Sequence, residues 1–246
     1  MTKDQIYSLP QRRVGDFTFD DAVADVFPDM IARSVPGYAS ILSMIEQLSS
    51  RFILPNTNVY DLGCSLGAAT LLMQPQAPPD CILHAIDNAP AMVERLRSIV
   101  NAQPPSGCRI QVHEADICEF ALDHASFVVI NLTLQFVPIE DRTALMQSVF
   151  DALIPGGALL LSEKICFEDP LQQALLTDLH HDFKRAHGYS DLEIAQKRTA
   201  LENRLLPETT DSHVARLRDV GFGCVAPWFQ CFNFVSVLAV KSEQPT

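Results

Sequence analysis

A chain of 246 residues with 48% apolar and 20% charged side chains has the balance of a folded globular protein, with room for one large domain or two small ones. Its 18 Lys and Arg stand against 30 Asp and Glu, a formal charge of −12. That surplus weighs against a protein whose own task is gripping RNA or DNA, because phosphate binding needs a concentrated cationic face. A small-molecule enzyme or a protein-binding module is the expectation.

The cysteines at 64, 81, 108, 118, 166, 224 and 231 are odd in number and contain no C-x-x-C pair. They read as reduced thiols of a cytoplasmic protein, not as a metal or disulfide framework. Met1–Asp16 lacks the apolar core of a secretory signal. The longest apolar stretches, Phe127–Val137 and Phe232–Val240, are strand-sized and fall short of the ~20 residues that span a bilayer. A soluble protein without membrane contact is expected.

Residues 1–50 carry helix-like pieces at Phe19–Met30 and Ser40–Arg51. A strand is expected at Asn58–Leu62, a helix start at Leu66–Met73 and a second strand at Ile82–Ile86. Pro90–Asn101 follows, with Met92, Leu96 and Val100 recurring on one helical face. Next come strands at Ile110–His113 and Phe127–Asn131, an amphipathic helix at Asp141–Leu153, a break at Pro155-Gly156-Gly157 and a strand at Ala158–Ser162. Strands apolar on both faces that alternate with helices indicate a parallel sheet covered on both sides. The expected class is therefore α/β, doubly wound, mostly parallel and Rossmann-like. Residues 165–210 read as long polar helices, and the chain closes with strands at Gly221–Val225 and Phe229–Lys241 joined by Ala226-Pro227-Trp228. One domain over residues 1–246 is expected, with a helical extension (1–50) and a helical cap (165–210).

The chemistry gathers at strand ends. Asp61-Leu62-Gly63-Cys64-Ser65-Leu66-Gly67 has the build of a nucleotide-binding turn: an acidic residue, a glycine that lets the backbone pass close to a ligand, and a helix N-terminus beyond. A tight strand-to-helix turn is the plain alternative. Asp87 ends the second strand, where a carboxylate accepts both ribose hydroxyls of an adenosine or caps the helix opened by Pro90. Asp116 ends the third strand and Asn131 the fourth, at the same sheet edge. No P-loop motif is present and the glycine turn holds no basic residue, which argues against a P-loop nucleoside triphosphatase. Three carboxylates suit a cationic ligand, and S-adenosylmethionine, with its sulfonium and amino group, fits.

Asp61–Gly67, Asp87, Asp116 and Pro155-Gly156-Gly157 before a fifth strand resemble the class I S-adenosylmethionine-dependent methyltransferases, with Ser65 where most members carry a second glycine. Across essentially the whole chain the sequence is also similar to the carboxy-S-adenosyl-L-methionine synthase family of bacterial tRNA wobble-uridine modification. The runs that carry this resemblance include residues 26–30, 33–38, 131–136, 161–164, 180–186, 196–198 and 228–234. It implies conversion of S-adenosylmethionine and prephenate to carboxy-S-adenosylmethionine and phenylpyruvate with loss of water. A separate tRNA carboxymethyltransferase would take the product, so no direct nucleic-acid contact is implied. The binding set it implies is Tyr38, Gly63, Cys64, Ser65, Asp87, Asn88, Asp116, Ile117, Asn131 and Arg198. Asp87 would hold the ribose, and Asp116 with the Ile117 backbone would read adenine. Arg198, the implied catalytic residue, would pair with the new carboxylate, within its own chain or across a homodimer interface.

The chemistry has its own logic. A methyl on a sulfonium is weakly acidic, and the carbanion left behind captures CO₂ generated in place if water is excluded. Prephenate is a source of that CO₂, since its decarboxylation is driven by aromatisation. Arg suits the cation role because its planar fork pairs both carboxylate oxygens. No Asp, Glu or His stands out as the base, which leaves substrate to take the proton.

Plainer readings accompany several of these residues. Glu193–Lys197 and Arg198–Glu202 are spaced for surface ion pairs. Lys184, Arg185, Lys197 and Arg198 nonetheless gather positive charge in the cap, which suits the two carboxylates of prephenate. His180, His181 and His187 lack the spacing of a metal site and read as polar-face residues, so no metal is expected. Cys64 has no nearby His partner and reads as a small turn residue. Two alternatives remain at this level, a conventional methyltransferase and a non-catalytic S-adenosylmethionine-binding protein.

Overall fold

The computed structural model describes residues 2–104 and 106–242. Two helices come first, α1 (Asp21–Ser34) and α2 (Tyr38–Phe52). The Asp20 side chain starts α1 by accepting the Val23 N–H at 3.0 Å. Then β1 (Asn58–Leu62), α3 (Ala68–Met73), β2 (Ile82–Asp87), α4 (Pro90–Ala102), β3 (Arg109–Glu114), β4 (Ala125–Asn131), α5 (Ile139–Ala152) and β5 (Leu153–Lys164) alternate as expected. The chain continues through α6 (Pro170–Ala186), α7 (Asp191–Leu201), α8 (Thr210–Asp219), β6 (Cys224–Cys231) and β7 (Phe234–Val240).

The seven strands form one sheet in the order β3-β2-β1-β4-β5-β7-β6. Pairings from β3 across to β5 are parallel, and β7 runs antiparallel to both β5 and β6. This is the expected doubly wound α/β sheet. Alternation along β4 explains the two layers: Val128 and Ile130 face a core with Leu145 and Val149 of α5 and Leu217 of α8, whereas Phe127 and Val129 face Ile41 and Ile45 of α2 and Leu96 of α4. No helix among the described residues is long and apolar enough to cross a membrane.

Three local expectations change. Pro155-Gly156-Gly157 does not end a segment; it lies inside β5, where the register with β4 shifts between Ala125 and Phe127. The terminal strands are joined at Phe232-Asn233, not at 226–228, because Pro227 and its neighbours pair with β7 on the sheet's edge strand. Helix α8 lies outside the expected elements and has no apolar stripe to mark it, Leu217 being its one residue in the hydrophobic core.

A buried ion cluster fixes the segment that follows α7. Arg142, fully buried on α5, donates to the carbonyls of Val137 at 3.0 Å and Leu206 at 2.8 Å, and pairs with Glu208 at 2.5 Å; Arg216 of α8 also pairs with Glu208 at 2.5 Å. Arg142→Ala leaves those acceptors and part of the Glu208 charge without a partner, so unfolding in urea is expected to show a loss of about 3 kcal/mol. A loss below about 1 kcal/mol, the range of an exposed pair, contradicts this role.

Candidate functional site

The strand order reverses between β1 and β4, and in doubly wound sheets that reversal opens a crevice at the carboxyl ends of the strands. Gly63 follows β1 with φ +83°, and a Cβ there would lie 2.2 Å from the Thr133 side chain, so the turn has room only for glycine. Ser65 occupies the left-handed region as well, at φ +49°. That explains how a serine stands where a glycine is common: the turn keeps the glycine conformation, stabilised by the Ser65 N–H donating to Asp87 Oδ2 at 2.8 Å.

Asp87 is bound at both oxygens, since Oδ1 accepts the Ala89 N–H at 2.9 Å. One carboxylate thereby ties the turn after β1 to the entry of α4. Burial raises its pKa against the opposing effect of these backbone donors. Asp61, buried behind it, accepts the Thr70 hydroxyl at 2.5 Å and is pushed up to about 6, chiefly by burial and also by the Asp87 charge. Burial, with Asp61 and Asp87, drives the Cys64 thiol well above its ordinary value, so it stays protonated and is no nucleophile. Asp116 is exposed, and its Oδ1 accepts the Cys118 N–H at 2.8 Å. Asn131 Oδ1 is buried without a hydrogen-bond partner.

These groups open on a cavity of about 970 Å³. Tyr38, Gly63, Cys64, Ser65, Asp87, Asn88, Asp116, Ile117 and Asn131 all line it. Arg198 does not: it is exposed on α7, one residue beyond the inward-facing Lys197, although its charge adds to burial in lowering the pKa values of Lys164 and His181. A step of one residue turns a helical side chain by about 100°, which separates the two.

Along the strand order from these carboxylates, beyond β4, the cavity lining turns basic. Lys164 at the end of β5, Lys184 of α6 and Lys197 of α7 line the same cavity, with His180 beside them. Lys164 was not picked out by sequence reasoning as a site residue; its signal was its place at the carboxyl end of the fifth strand. His180 is not a polar-face residue. It is buried against Phe234, its Nε2 lies 2.8 Å from the Ser34 carbonyl, and burial lowers its pKa to about 2, so it is a neutral donor there. Among the described residues no cluster of three or more His, Cys, Asp or Glu could hold a metal ion.

Glu163 does not line the cavity but holds part of its lining in place. It is buried beside Lys164, and its oxygens accept the N–H groups of Leu134 and Gln135 at 2.9 Å each, which fixes the turn after Asn131. Burial raises its pKa to about 8.

A doubly wound sheet with β7 reversed, a glycine turn after β1, and a carboxylate at the end of β2 is the architecture of a Rossmann-like methyltransferase. Residues 59–157 match the methyltransferase domain family. An O-methyltransferase family protein from Burkholderia thailandensis superposes with a TM-score of 0.62 at 18% identity, over 92% of this chain and 60% of that one. Human N-acetylserotonin methyltransferase, solved with S-adenosylmethionine, gives 0.59 at 17%, over 90% and 55%. The sequence relatives are narrower in kind. A carboxy-S-adenosyl-L-methionine synthase of Vibrio campbellii is 54% identical over 239 residues, 97% of each chain, and one of Escherichia coli is 52% identical over 242 residues, 98% of each. This chain belongs to the carboxy-S-adenosyl-L-methionine synthase family and is a transferase of methyltransferase type.

Glu163 generates a pH test. The folded protein keeps a proton on Glu163 up to about pH 8, whereas the unfolded chain releases it near 4.5. Folded stability therefore falls as pH rises through that window. Relative to Glu163→Gln, the wild type is expected to lose stability steadily from pH 5 to pH 8 in denaturant titrations, and a pH-independent difference contradicts the assignment.

Proposed function

We propose that this protein carboxylates the sulfonium methyl of S-adenosylmethionine with CO₂ drawn from prephenate, giving carboxy-S-adenosylmethionine and phenylpyruvate. The single observation that carries the reading, beyond family membership, is one cavity with an acidic wall for a sulfonium and a basic wall for carboxylates. The donor set suits the cation. Asp87 would hold the ribose and Asp116 with the Ile117 backbone would read adenine; all three line the cavity, and the unpartnered Asn131 Oδ1 offers an acceptor to the ammonium of the methionyl part. Asp61 and Tyr38 close the wall behind.

The reaction asks the protein for dryness and position more than for a base. Prephenate sheds CO₂ and hydroxide as its ring aromatises. The methyl carbon loses a proton, forms a bond to that CO₂, and the proton and hydroxide leave as water. Cys64 stays a thiol and His180 a neutral donor, in keeping with proton transfer between the substrates. Arg198 pairs with the new carboxylate, reaching the cavity from its own chain or from a second copy in a homodimer. The product is a small molecule carrying a carboxymethyl group, to be consumed by a tRNA carboxymethyltransferase in wobble-uridine modification, so a net charge of −12 fits a cytoplasmic enzyme that does not itself hold RNA.

Purified protein incubated with S-adenosylmethionine and prephenate is expected to yield an adenosyl product heavier by one CO₂ in mass spectrometry, together with phenylpyruvate. Formation of S-adenosylhomocysteine instead indicates ordinary methyl transfer, and an unchanged ligand indicates binding alone. Either outcome overturns the proposal. Arg198→Leu is expected to lower product formation about a hundredfold, the effect of losing one positioned charge; full activity in that variant removes Arg198 from the account.

A further inference from the structure

We infer that Lys164 and Lys184 form a paired carboxylate clamp, the subsite that holds the two carboxylates of the CO₂-donating substrate, while Lys197 supports the site without binding it. The inference deepens the function proposed above and rests on it.

A buried ammonium is costly unless an anion or several acceptors compensate it. Lys197 is compensated within the protein. Its Nζ donates to Ser34 Oγ at 3.1 Å and lies 4.0 Å from Asp4 Oδ2, and Asp4, 1% exposed, also accepts the Tyr189 hydroxyl at 2.5 Å. The same carboxylate ties residues of the N-terminal segment to α7, so the Lys197 charge is engaged before any ligand arrives.

Lys164 and Lys184 differ. Among the described residues neither ammonium has a carboxylate within 4.0 Å, and neither makes a side-chain hydrogen bond. Both face the cavity, and the charges around them are of their own sign: Lys164 and Lys197 act on Lys184, and Arg198 acts on Lys164. Burial first, then these neighbours, lowers the Lys184 pKa to about 7. Like charges gathered at a cavity wall without counterions are a site whose counterion is the ligand.

The rest of the cavity selects the ligand class. Asp61 and Asp87 on the far wall repel carboxylates and hold a cation, so an anion is oriented with its charge toward the cap. Phe19, Leu132 and Phe234 add apolar surface to the same cavity, Phe234 directly beside Lys164 and His180, suited to a compact ring. Two free ammonium groups beside an apolar slot fit a dicarboxylate with a six-membered ring better than a monoanion or a phosphate ester.

The test uses Lys164→Met, Lys184→Met and Lys184→Arg in the full-length protein. The Met variants are expected to raise the KM for prephenate about tenfold or more, the loss of one charge-assisted hydrogen bond, with the KM for S-adenosylmethionine within about twofold of wild type. Lys184→Arg is expected to recover most of the loss. A second readout separates binding from support: Lys184→Met removes an uncompensated charge, so the ligand-free variant is expected to melt at or above the wild-type temperature. A lower melting temperature with unchanged prephenate KM makes the lysine structural and overturns the clamp. If wild type forms no carboxylated product, the proposed function fails, and calorimetry with succinate in the presence of S-adenosylmethionine still judges the clamp. Binding to wild type that is lost in Lys184→Met upholds it; no binding, or equal binding to both, overturns it.

Discussion

Charge that leaves water must find its opposite, and this protein places its two signs on facing walls of one cavity. The acidic wall belongs to the sheet: Asp61, Asp87 and Asp116 sit on or just beyond the carboxyl ends of three parallel strands, where the fold brings any doubly wound chain to a crevice. The basic wall joins the end of β5 to α6 and α7. Neither wall is neutralised by the other, since the cavity keeps them apart. In the proposed reaction, an adenosyl sulfonium and a carboxylate-bearing donor would complete both.

Two buried carboxyl groups, that of Glu163 protonated, make that geometry rigid. Asp87 is gripped by N–H groups from Ser65 and Ala89, so the glycine turn and the α4 entry cannot move independently. Glu163 grips Leu134 and Gln135 in the same way and holds the segment after β4. A carboxylate accepting two backbone donors is an inexpensive way to order a loop. Here the two loops so ordered carry Gly63 and Thr133, which line the cavity.

Much of this was legible in the sequence, because strand-end motifs are local. Asp61–Gly67 and Asp87 announce the turn and its partner through spacing alone, and even the departure at Ser65 resolves into a left-handed serine that does a glycine's backbone work. The strands of the central sheet were readable from their unbroken apolar runs. The ends were not. Pro155-Gly156-Gly157 looks like a stop but is a register shift within β5, and the final hairpin turns at Phe232-Asn233 because an edge strand tolerates Pro227. The basic wall was harder still. Lys184 and Lys197 stand out in the sequence as charge gathered in the cap, but Lys164 joins them only in the fold, and the partner that sets Lys197 apart, Asp4, lies near the start of the chain. Adjacent residues also part company: Lys197 points in and Arg198 out, a difference that follows from helical phase once α7 is docked.

The central claim is that CO₂ passes from one ligand to the other inside this cavity without mixing with water. Prephenate labelled with ¹³C in its ring carboxylate, supplied with S-adenosylmethionine and excess unlabelled bicarbonate, tests it directly by mass spectrometry of the adenosyl product. Full retention of the label in carboxy-S-adenosylmethionine is the expected result. Label lost to the bicarbonate pool, with unlabelled carbon in the product, would contradict the account.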